Sequence, residues 1–353
     1  MLVLGIESTC DETGISIVRD GREILSNVVM TQEDLHRRYG GVVPEVACRR
    51  HVDVLLPLLK KALCIPLEEI DLIAVANGPG LIGALLIGVN FAQGLSVSTG
   101  KPLVGVNHIE AHLYSALMES NPLLPALGVV MSGGHTSLVY VESLGRYTLI
   151  GQTQDDAIGE AFDKAAKLLG LPYPGGPHIE RLAKEGDPTR FPFKPGRIKG
   201  QPFDFSFSGL KTALLYLAKG QNADKNSPLV LSEEDIKDAA ASFQHTAFSD
   251  LVEKICSSAK LYRCKSILVG GGVSQNRYFR HLLEEDCSIP ICWPPKGLCL
   301  DNGAMIAGLG YYIFLEHGSS SFVKADPRLA IKERIHAVYT DPAFPSLINE
   351  LRP

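Results

Sequence analysis

No two of the chain's eight cysteines stand in a CxxC pair. A zinc–thiolate cluster or a redox dithiol is therefore excluded as the organising chemistry. The scattered Cys10, Cys48, Cys64, Cys256, Cys264, Cys287, Cys292 and Cys299 read as reduced thiols of a cytoplasmic protein, not as a disulfide framework. An apolar run of membrane-spanning length, free of polar residues, is also missing. The longest candidate, residues 81–95, contains Asn90 and Gln93 and reads as a buried helix, so no membrane contact is expected. No basic segment precedes the strand-like residues 2–6, and no secretory signal is expected. Excess positive charge is lacking too. With 34 Lys and Arg against 39 Asp and Glu, the net charge is −5, which excludes global attraction to nucleic acid but not a local basic groove. There is no Walker GxxxxGK[ST] motif; Gly209-Leu-Lys211-Thr212 is only a partial echo.

What is present points to an α/β protein. Hydrophobic residues make up 45% of the chain, and many of its 34 glycines follow apolar runs, as at strand-to-helix junctions. A length of 353 residues accommodates two domains. A faint duplication divides it. Residues 2–8, 15–18 and 24–29 form a strand, a small-residue turn and two further strands, and residues 127–131, 138–141 and 147–150 repeat the pattern. Asp71-Leu-Ile-Ala-Val-Ala76 runs into Gly78-Pro79-Gly80 and a helix. Ser266-Ile-Leu-Val269 runs likewise into Gly270-Gly271-Gly272 and a helix near Asn276. The expectation is two similar lobes with a cleft between them: residues 1–122, residues 123–326 with a Pro/Gly-rich insertion near 170–204, and a tail at 327–353. Helical patterns resume at residues 210–217 and 233–259, the latter behind Ser232 as an N-cap.

The most pointed local feature is Asn107-His108-Ile109-Glu110-Ala111-His112. Histidines at i and i+4 share a helical face and can reach one metal ion. A zinc protease of the HExxH type places its glutamate directly after the first histidine, where this chain has Ile109. Glu110 lies about 200° round the helix from His108 and should face elsewhere. A catalytic metal site needs a third, harder ligand, for which Asp301, Glu7 and Asp11 are candidates.

Three glycine loops compete for a phosphate. Gly78-Pro79-Gly80-Leu-Ile-Gly83 fits GxGxxG formally, but its proline and the lack of a following acid make it a tight turn. Ser132-Gly133-Gly134-His135-Thr136 and Gly270-Gly271-Gly272-Val-Ser274-Gln-Asn276 are better placed to direct N–H groups at an anion. Asp156, Glu160 and Asp163 are spaced to share a helical face. Basic clusters occur at His36-Arg37-Arg38, Arg49-Arg50-His51, Lys60-Lys61 and residues 194–199, where an exposed stripe would suit a phosphate backbone or an acidic protein.

In order along the chain these segments resemble the TsaD family, once described as O-sialoglycoprotein endopeptidases. The resemblance runs from Gly5-Ile-Glu-Ser-Thr-Cys-Asp-Glu-Thr13 to Asp301-Asn-Gly-Ala-Met-Ile306. It takes in Tyr39-Gly-Gly-Val-Val-Pro-Glu45, the histidine pair, Ser132-Gly-Gly-His-Thr136, Gly159-Glu-Ala-Phe-Asp-Lys164, Pro174-Gly-Gly176, Phe205-Ser-Phe-Ser-Gly-Leu-Lys211 and Gly271-Gly-Val-Ser-Gln-Asn276.

It implies a duplicated actin-like/Hsp70-like ATPase (ASKHA) fold, two lobes around a central cleft. The activity it implies is that of an acyltransferase: transfer of the L-threonylcarbamoyl group from threonylcarbamoyl-AMP to N6 of adenosine 37 in tRNAs reading ANN codons, with release of AMP. His108, His112 and Asp301 would hold one divalent metal ion per subunit, Fe(2+) by family, with Zn(2+) as the alternative. Met131, Ser132, Gly133, Gly134 and His135 would contact the substrate. Asp163, Gly176, Asn276 and, less directly, Glu180 would line the nucleotide site. Glu12 and His135 are the candidate general bases. TsaB and TsaE are the implied protein partners, and a TsaC-type enzyme would supply the adenylate. Gln154 stands where the family pattern has a hydrophobic residue, and the stretch after Phe322 is longer than in compact members and is expected to have no catalytic role. The rival classes are a metalloprotease, a sugar kinase or other ATPase of the same fold, and a non-catalytic TsaB-like scaffold; the last would be expected to lack the histidine pair.

Overall fold

Among the described residues, ten strands and ten α-helices build two sheets and the layers around them. The first half contains β1 (Leu2–Glu7), β2 (Glu12–Arg19), β3 (Glu23–Thr31), α1 (Glu33–Arg37), α2 (Pro44–Ala62), β4 (Leu72–Gly78), α3 (Ile82–Thr99), β5 (Leu103–Asn107) and α4 (His108–Ser115). The second contains β6 (Ala126–Met131), β7 (Thr136–Ser143), β8 (Arg146–Gln152), α5 (Ile158–Leu168), α6 (Gly175–Ala183), α7 (Ser208–Lys219), α8 (Glu233–Leu261), β9 (Ser266–Gly270), α9 (Arg277–Asp286), β10 (Ile291–Cys292) and α10 (Gly303–His317). This computed structural model describes residues 1–221, 224 and 227–331, so the expected tail beyond residue 331 lies outside the described residues.

The two sheets have one topology. The first runs β3-β2-β1-β4-β5, and the second, read from its other edge, β8-β7-β6-β9-β10. In each, the first three strands form an antiparallel meander and the last two add in parallel. The central strands β1, β4, β6 and β9 are almost wholly buried, as strands covered on both faces must be. The duplication read from short apolar runs is therefore matched strand for strand.

Two helices join the halves. α4 packs on β6 and β9 of the second sheet, while α10 packs on β1, β2 and β4 of the first, and the two touch each other. They share one apolar cluster containing Ala111, Leu113 and Tyr114 of α4 with Met305, Ile306, Leu309 and Tyr312 of α10. Glycine makes the approach close enough: a Cβ on Gly5 of β1 would overlap the Gly303 carbonyl of α10. Chain order and spatial grouping thus diverge after residue 302. Residues 319–331 also return to the first sheet, with Ser320 N donating to Leu103 O (2.8 Å) and Asp326 N to Asn77 O (2.8 Å).

Several expectations need correction. α3 is not a buried helix. It is long and apolar enough to cross a membrane by length and composition, yet Ile82, Leu86 and Val97 are exposed, Val97 at 86%. The Pro/Gly-rich insertion is not only loop, because it contains α6, opened by Gly175 and Gly176. Cys256 on α8 and Cys287 after α9 form a disulfide, whereas the scattered spacing suggested thiols throughout. Asp156 precedes α5 and does not share a helical face with Asp163; it is bound by Lys164 and Lys211 instead. Gln154 is exposed and donates to Asp204 Oδ2 (2.7 Å), which accounts for a polar residue there.

Candidate active site

The histidine pair is set by a capped helix start. The Asn107 side chain accepts hydrogen bonds from Ile109 N (2.9 Å) and Glu110 N (3.1 Å), so α4 begins with His108 as its first residue. His112 follows one turn later on the same face. Asp301 immediately precedes Asn302, which caps α10 in the same way through Met305 N (3.0 Å). The third candidate ligand and the first pair therefore come from the N-termini of the two helices that lie between the sheets.

The three side chains converge. Asp301 Oδ1 lies 3.1 Å from His112 Nε2 and 3.6 Å from His108 Nε2. One ligand atom from each residue falls within 4.8 Å of the others. Both histidines are buried. Among the described residues, His112 Nδ1 has no hydrogen-bond partner and Nε2 meets nothing but the Asp301 carboxylate, an arrangement that costs free energy unless something fills the gap. Two imidazole nitrogens and one carboxylate oxygen suit a divalent ion such as zinc or iron. These residues fit the metal implied by the sequence.

Of the other carboxylates weighed as third ligand, Glu7 has a different place. Its Oε2 meets His108 Nδ1 at 3.0 Å, and its Oε1 accepts from Thr9 N at 2.6 Å. It therefore directs Nε2 of His108 toward Asp301 and fixes which nitrogen is free to ligate. Glu110 faces elsewhere, as its helical angle requires: it is buried and accepts from Tyr147 OH (2.9 Å). Burial alone would lower the His108 pKa, but Glu7 and Asp301 outweigh it and hold the imidazole up at about 9. Burial would raise Asp301, but the imidazoles of His108 and His112 keep it well below the usual carboxylate range. His135, 6.3 Å from His108 ring to ring, is driven down to about 3 by burial and by the two neighbouring imidazoles. Burial, with Asp11 and Asp301, pushes Glu12 well above the usual range.

The glycine loops divide by use. Residues 132–135 fold back on themselves: Gly134 N and His135 N both donate to Ser132 Oγ (3.3 and 3.1 Å), and Ser132 N donates to His135 O (2.8 Å). Three of the amides expected to greet an anion are thus engaged locally, although Gly133 and Gly134 are exposed. Met131, immediately before them, is buried, and its carbonyl lies against Gly271. Gly271 sits at φ +91, and Gly270 presses on the His112 carbonyl, so the second loop supports the metal helix directly. The first loop is filled by the chain itself, because a Cβ on Gly78 would overlap Asp326 O.

Asp163 accepts from Gly175 N (2.6 Å) and so caps α6 from α5. Burial, opposed by the Gly175 N–H and reinforced by Asp11, raises it to about 6. Gly176, the next residue, has open space where a side chain would stand. Asn276 is committed to structure: Oδ1 caps α9 through Phe279 N (3.0 Å), and Nδ2 donates to Gln244 Oε1 (3.0 Å). Glu180 Oε1 accepts from Arg277 N (3.0 Å), tying α6 to α9. Gln244, Thr9 and the asparagine caps were not found by sequence reasoning. The caps alone had a readable signal, an Asn directly before each ligand-bearing helix.

Comparison with known proteins agrees with this geometry. Residues 23–308 match the family profile described as TsaD: tRNA N6-adenosine threonylcarbamoyltransferase. The chain is 57% identical over 334 residues to the protein of that name from Protochlamydia amoebophila (strain UWE25), covering 93% of this chain and 97% of that one. It is 52% identical over 319 residues to the corresponding protein of Chlamydia trachomatis serovar L2b (strain UCH-1/proctitis), covering 89% and 93%. Among solved structures, full-length HypF in its phosphate- and nucleotide-bound form gives a TM-score of 0.59 at 13% identity, over 90% of this chain and 47% of that one. Component A of Acidaminococcus fermentans (R)-2-hydroxyglutaryl-CoA dehydratase gives 0.50 at 16% identity, over 88% and 97%. These two likenesses carry the fold alone, an α/β fold of the ASKHA class. The sequence match carries more: the chain belongs to the TsaD family of tRNA N6-adenosine threonylcarbamoyltransferases.

Proposed function

We propose that His108, His112 and Asp301 hold one divalent metal ion per subunit, Fe(2+) first and Zn(2+) as the alternative, at the centre of a duplicated actin-like cleft. Transfer of the threonylcarbamoyl group to adenosine 37 of tRNA is the reaction of this family and of this chain. The finer reading rests on one observation above the others. Two buried imidazoles and a carboxylate converge within 4.8 Å, and among the described residues the nitrogens of His112 have no partner besides that carboxylate. The shared strand order of the two sheets supports the duplicated cleft. The domain division follows the chain at residues 122 and 123, with α10 and residues 319–331 crossing back to the first lobe.

When bound, the metal supplies Lewis-acid orientation of the acyl donor. The protein's residues do the rest. N6 of the adenosine attacks the carbamoyl carbon of threonylcarbamoyl-AMP. The new C–N bond forms, the C–O bond to phosphate breaks, and AMP leaves with the electron pair. His135 is the candidate to take the N6 proton: burial and its imidazole neighbours keep it neutral, and by holding it down to about 3 they also make it a weak base. Glu12, pushed up by burial and Asp11, is already biased toward its protonated form and is the weaker candidate. The loop of residues 131–135 faces the acyl phosphate, with the Gly133 N–H outside the loop's own hydrogen bonds. Asp163 and Gly176 form the adenosine wall at the start of α6, with Glu180 and Asn276 keeping α6 and α9 in register behind it. Ile109, not a glutamate, follows His108, which separates this site from a protease of the HExxH type.

TsaB and TsaE are the proposed partners, and the compartment is the cytoplasm. Val52 and Leu56 of α2 and Ile82, Leu86 and Val97 of α3 are exposed on two helices that contact each other, and such apolar exposure suits a protein partner such as TsaB. Reconstitution with synthetic threonylcarbamoyl-AMP, unmodified tRNA, TsaB and TsaE tests the reading by nucleoside mass spectrometry. Modified adenosine is expected from wild type and not from His108→Ala/His112→Ala. Equal product from both would refute the metal assignment.

A further inference from the structure

We propose that residues 188–203 form a strap that grips the tRNA backbone, a reading that rests on the family's tRNA substrate. This segment, Pro-Thr-Arg-Phe-Pro-Phe-Lys-Pro-Gly-Arg-Ile-Lys-Gly-Gln-Pro-Phe, contains Arg190, Lys194, Arg197 and Lys199 and no carboxylate. The chain as a whole is negative, so a polyanion must meet it at such a local concentration of positive charge.

The strap has no helix or strand, yet it is firmly held. Asp187 N donates to Asp238 Oδ1 (2.7 Å) and Phe191 N to Ser242 Oγ (3.2 Å), both on α8. Further along, Arg197 meets Glu253 of the same helix (2.9 Å). Phe191, Phe193 and Phe203 pack inward on the core of the second half. Between them Arg190, Lys194, Arg197 and Lys199 are exposed. Aromatic anchors facing in and cations facing out are what an extended, proline-stiffened segment produces when alternate residues point to opposite sides.

The nearby acids are already occupied. Asp238 caps the strap, Asp250 is bound by Lys254 (2.7 Å), Glu253 by Arg197, and Glu185 by Lys237 (2.9 Å). Arg190, Lys194 and Lys199 form no salt bridge with any described residue; Arg190 instead lies 5.8 Å from the centre of the Phe191 ring. From Arg190 to Lys199 an extended chain covers up to about 30 Å, enough to follow several phosphates.

The position suits a substrate whose reactive base enters the cleft. At one end, α6 leads from Gly176 to the strap, a helix about 13 Å long. At the other, Asp155 accepts from Ser206 Oγ (2.6 Å) and Phe207 N (2.8 Å), which ties the strap's exit to the turn before α5. Gly159 N of α5 in turn donates to Ser132 O (3.3 Å) in the substrate loop. The strap is therefore joined at both ends to elements of the adenylate site without lying in it.

The test compares wild type with R190A/K194A/K199A, full length and with TsaB and TsaE. Binding of fluorescein-labelled unmodified tRNA is followed by anisotropy across a salt series. Losing three phosphate contacts should lower the slope of log Kd against log salt by about 2 to 3 and raise the tRNA KM at least about tenfold. The KM for threonylcarbamoyl-AMP and the melting temperature should not change, and R190K/K199R should bind as wild type does. An unchanged salt slope would overturn the proposal. So would intact tRNA binding with loss of a partner protein on gel filtration, which would assign the strap to an acidic protein surface. Binding is read without catalysis, so a wild-type protein that made no modified nucleoside would count against the functional reading and leave the strap to be judged on its own.

Discussion

Glu7→Gln separates metal affinity from the ligands themselves. In wild type, Glu7 Oε1 accepts from Thr9 N and Oε2 faces His108 Nδ1. A glutamine supplies one oxygen and one NH2 group. If its oxygen stays on Thr9 N, the NH2 group faces Nδ1 and favours the tautomer with its proton on Nε2, the nitrogen that must ligate. If the amide turns round, its NH2 group confronts the Thr9 N–H and a buried donor loses its acceptor. Either way His108 is misoriented or incorrectly protonated. Loss of such an outer carboxylate weakens metal binding about 10- to 100-fold, or about 1.4–2.7 kcal/mol. Competition between apoprotein and a chromogenic chelator for Co(2+) or Zn(2+) measures this directly. Glu7→Asp, one methylene shorter, should fall between wild type and Glu7→Gln. Metal affinity of Glu7→Gln within about twofold of wild type would refute the orienting role.

Asp163 carries a pH signature. Its folded pKa of about 6 exceeds its ordinary 3.8, so its favourable contribution is complete below pH 3.8 and is lost as pH rises through 6. Asp163→Asn should therefore raise stability by up to about 3 kcal/mol above pH 6 and change little below pH 4, as read from melting temperature against pH. The same variant should bind threonylcarbamoyl-AMP more weakly by calorimetry. Lys254 is buried and donates to Asp250 Oδ2 (2.7 Å) and Asp204 O (2.9 Å) over the Phe205 ring. Lys254→Met leaves Asp250 without its main cation and should cost about 3–5 kcal/mol in urea unfolding; a loss below about 1 kcal/mol would contradict this account. The Cys256–Cys287 disulfide closes a separation of 31 residues. Chain entropy assigns such a loop about 3–4 kcal/mol, so Cys256→Ser, or wild type with reductant, should melt at lower temperature, and equal melting curves would show that the link adds nothing.

Much of the fold was legible because its signals were periodic and local. The apolar runs of β1, β4, β6 and β9 are those of strands buried on both faces, and β4, β6 and β9 each meet their glycine turn where expected. Ser232 with three following acids opened α8 at the expected residue. α6 was missed because Pro172, Pro174 and Pro177 crowd its start and look like loop, although a proline is tolerated in the first turn of a helix. α3 was misjudged because hydrophobicity records preference, not what covers a surface. In the site, the helical spacing of His108 and His112 was readable, as was the displaced glutamate. Glu7 could be weighed only as a ligand, because its reach to Nδ1 of a residue 101 positions away is a fact of folding alone. Asn276 and Glu180 were read as nucleotide contacts, and each also has a structural bond at α9: Asn276 caps it and one oxygen of Glu180 accepts from Arg277 N. Polarity near a glycine loop does not say which way a side chain will turn.

The location of the histidine pair explains why its spacing did not mean a protease. α4 follows β5 in the first half as α10 follows β10 in the second, so the two helices are equivalent members of a repeated unit. Each repeat lays its last helix on the other repeat's sheet. The N-termini of both helices therefore come together between the lobes, one bringing His108 and His112, the other Asp301. Neither half can bind the ion alone. A HExxH helix carries two ligands and its water-activating base in one segment, whereas here the third ligand comes from the opposite repeat and the position after His108 is apolar. Two helix N-termini also direct their positive dipole ends to the same point, where negative charge on carbamoyl oxygen or departing phosphate is favoured. That geometry favours acyl transfer between two bound substrates, and the glutamate that an HExxH helix uses to activate water is replaced by Ile109.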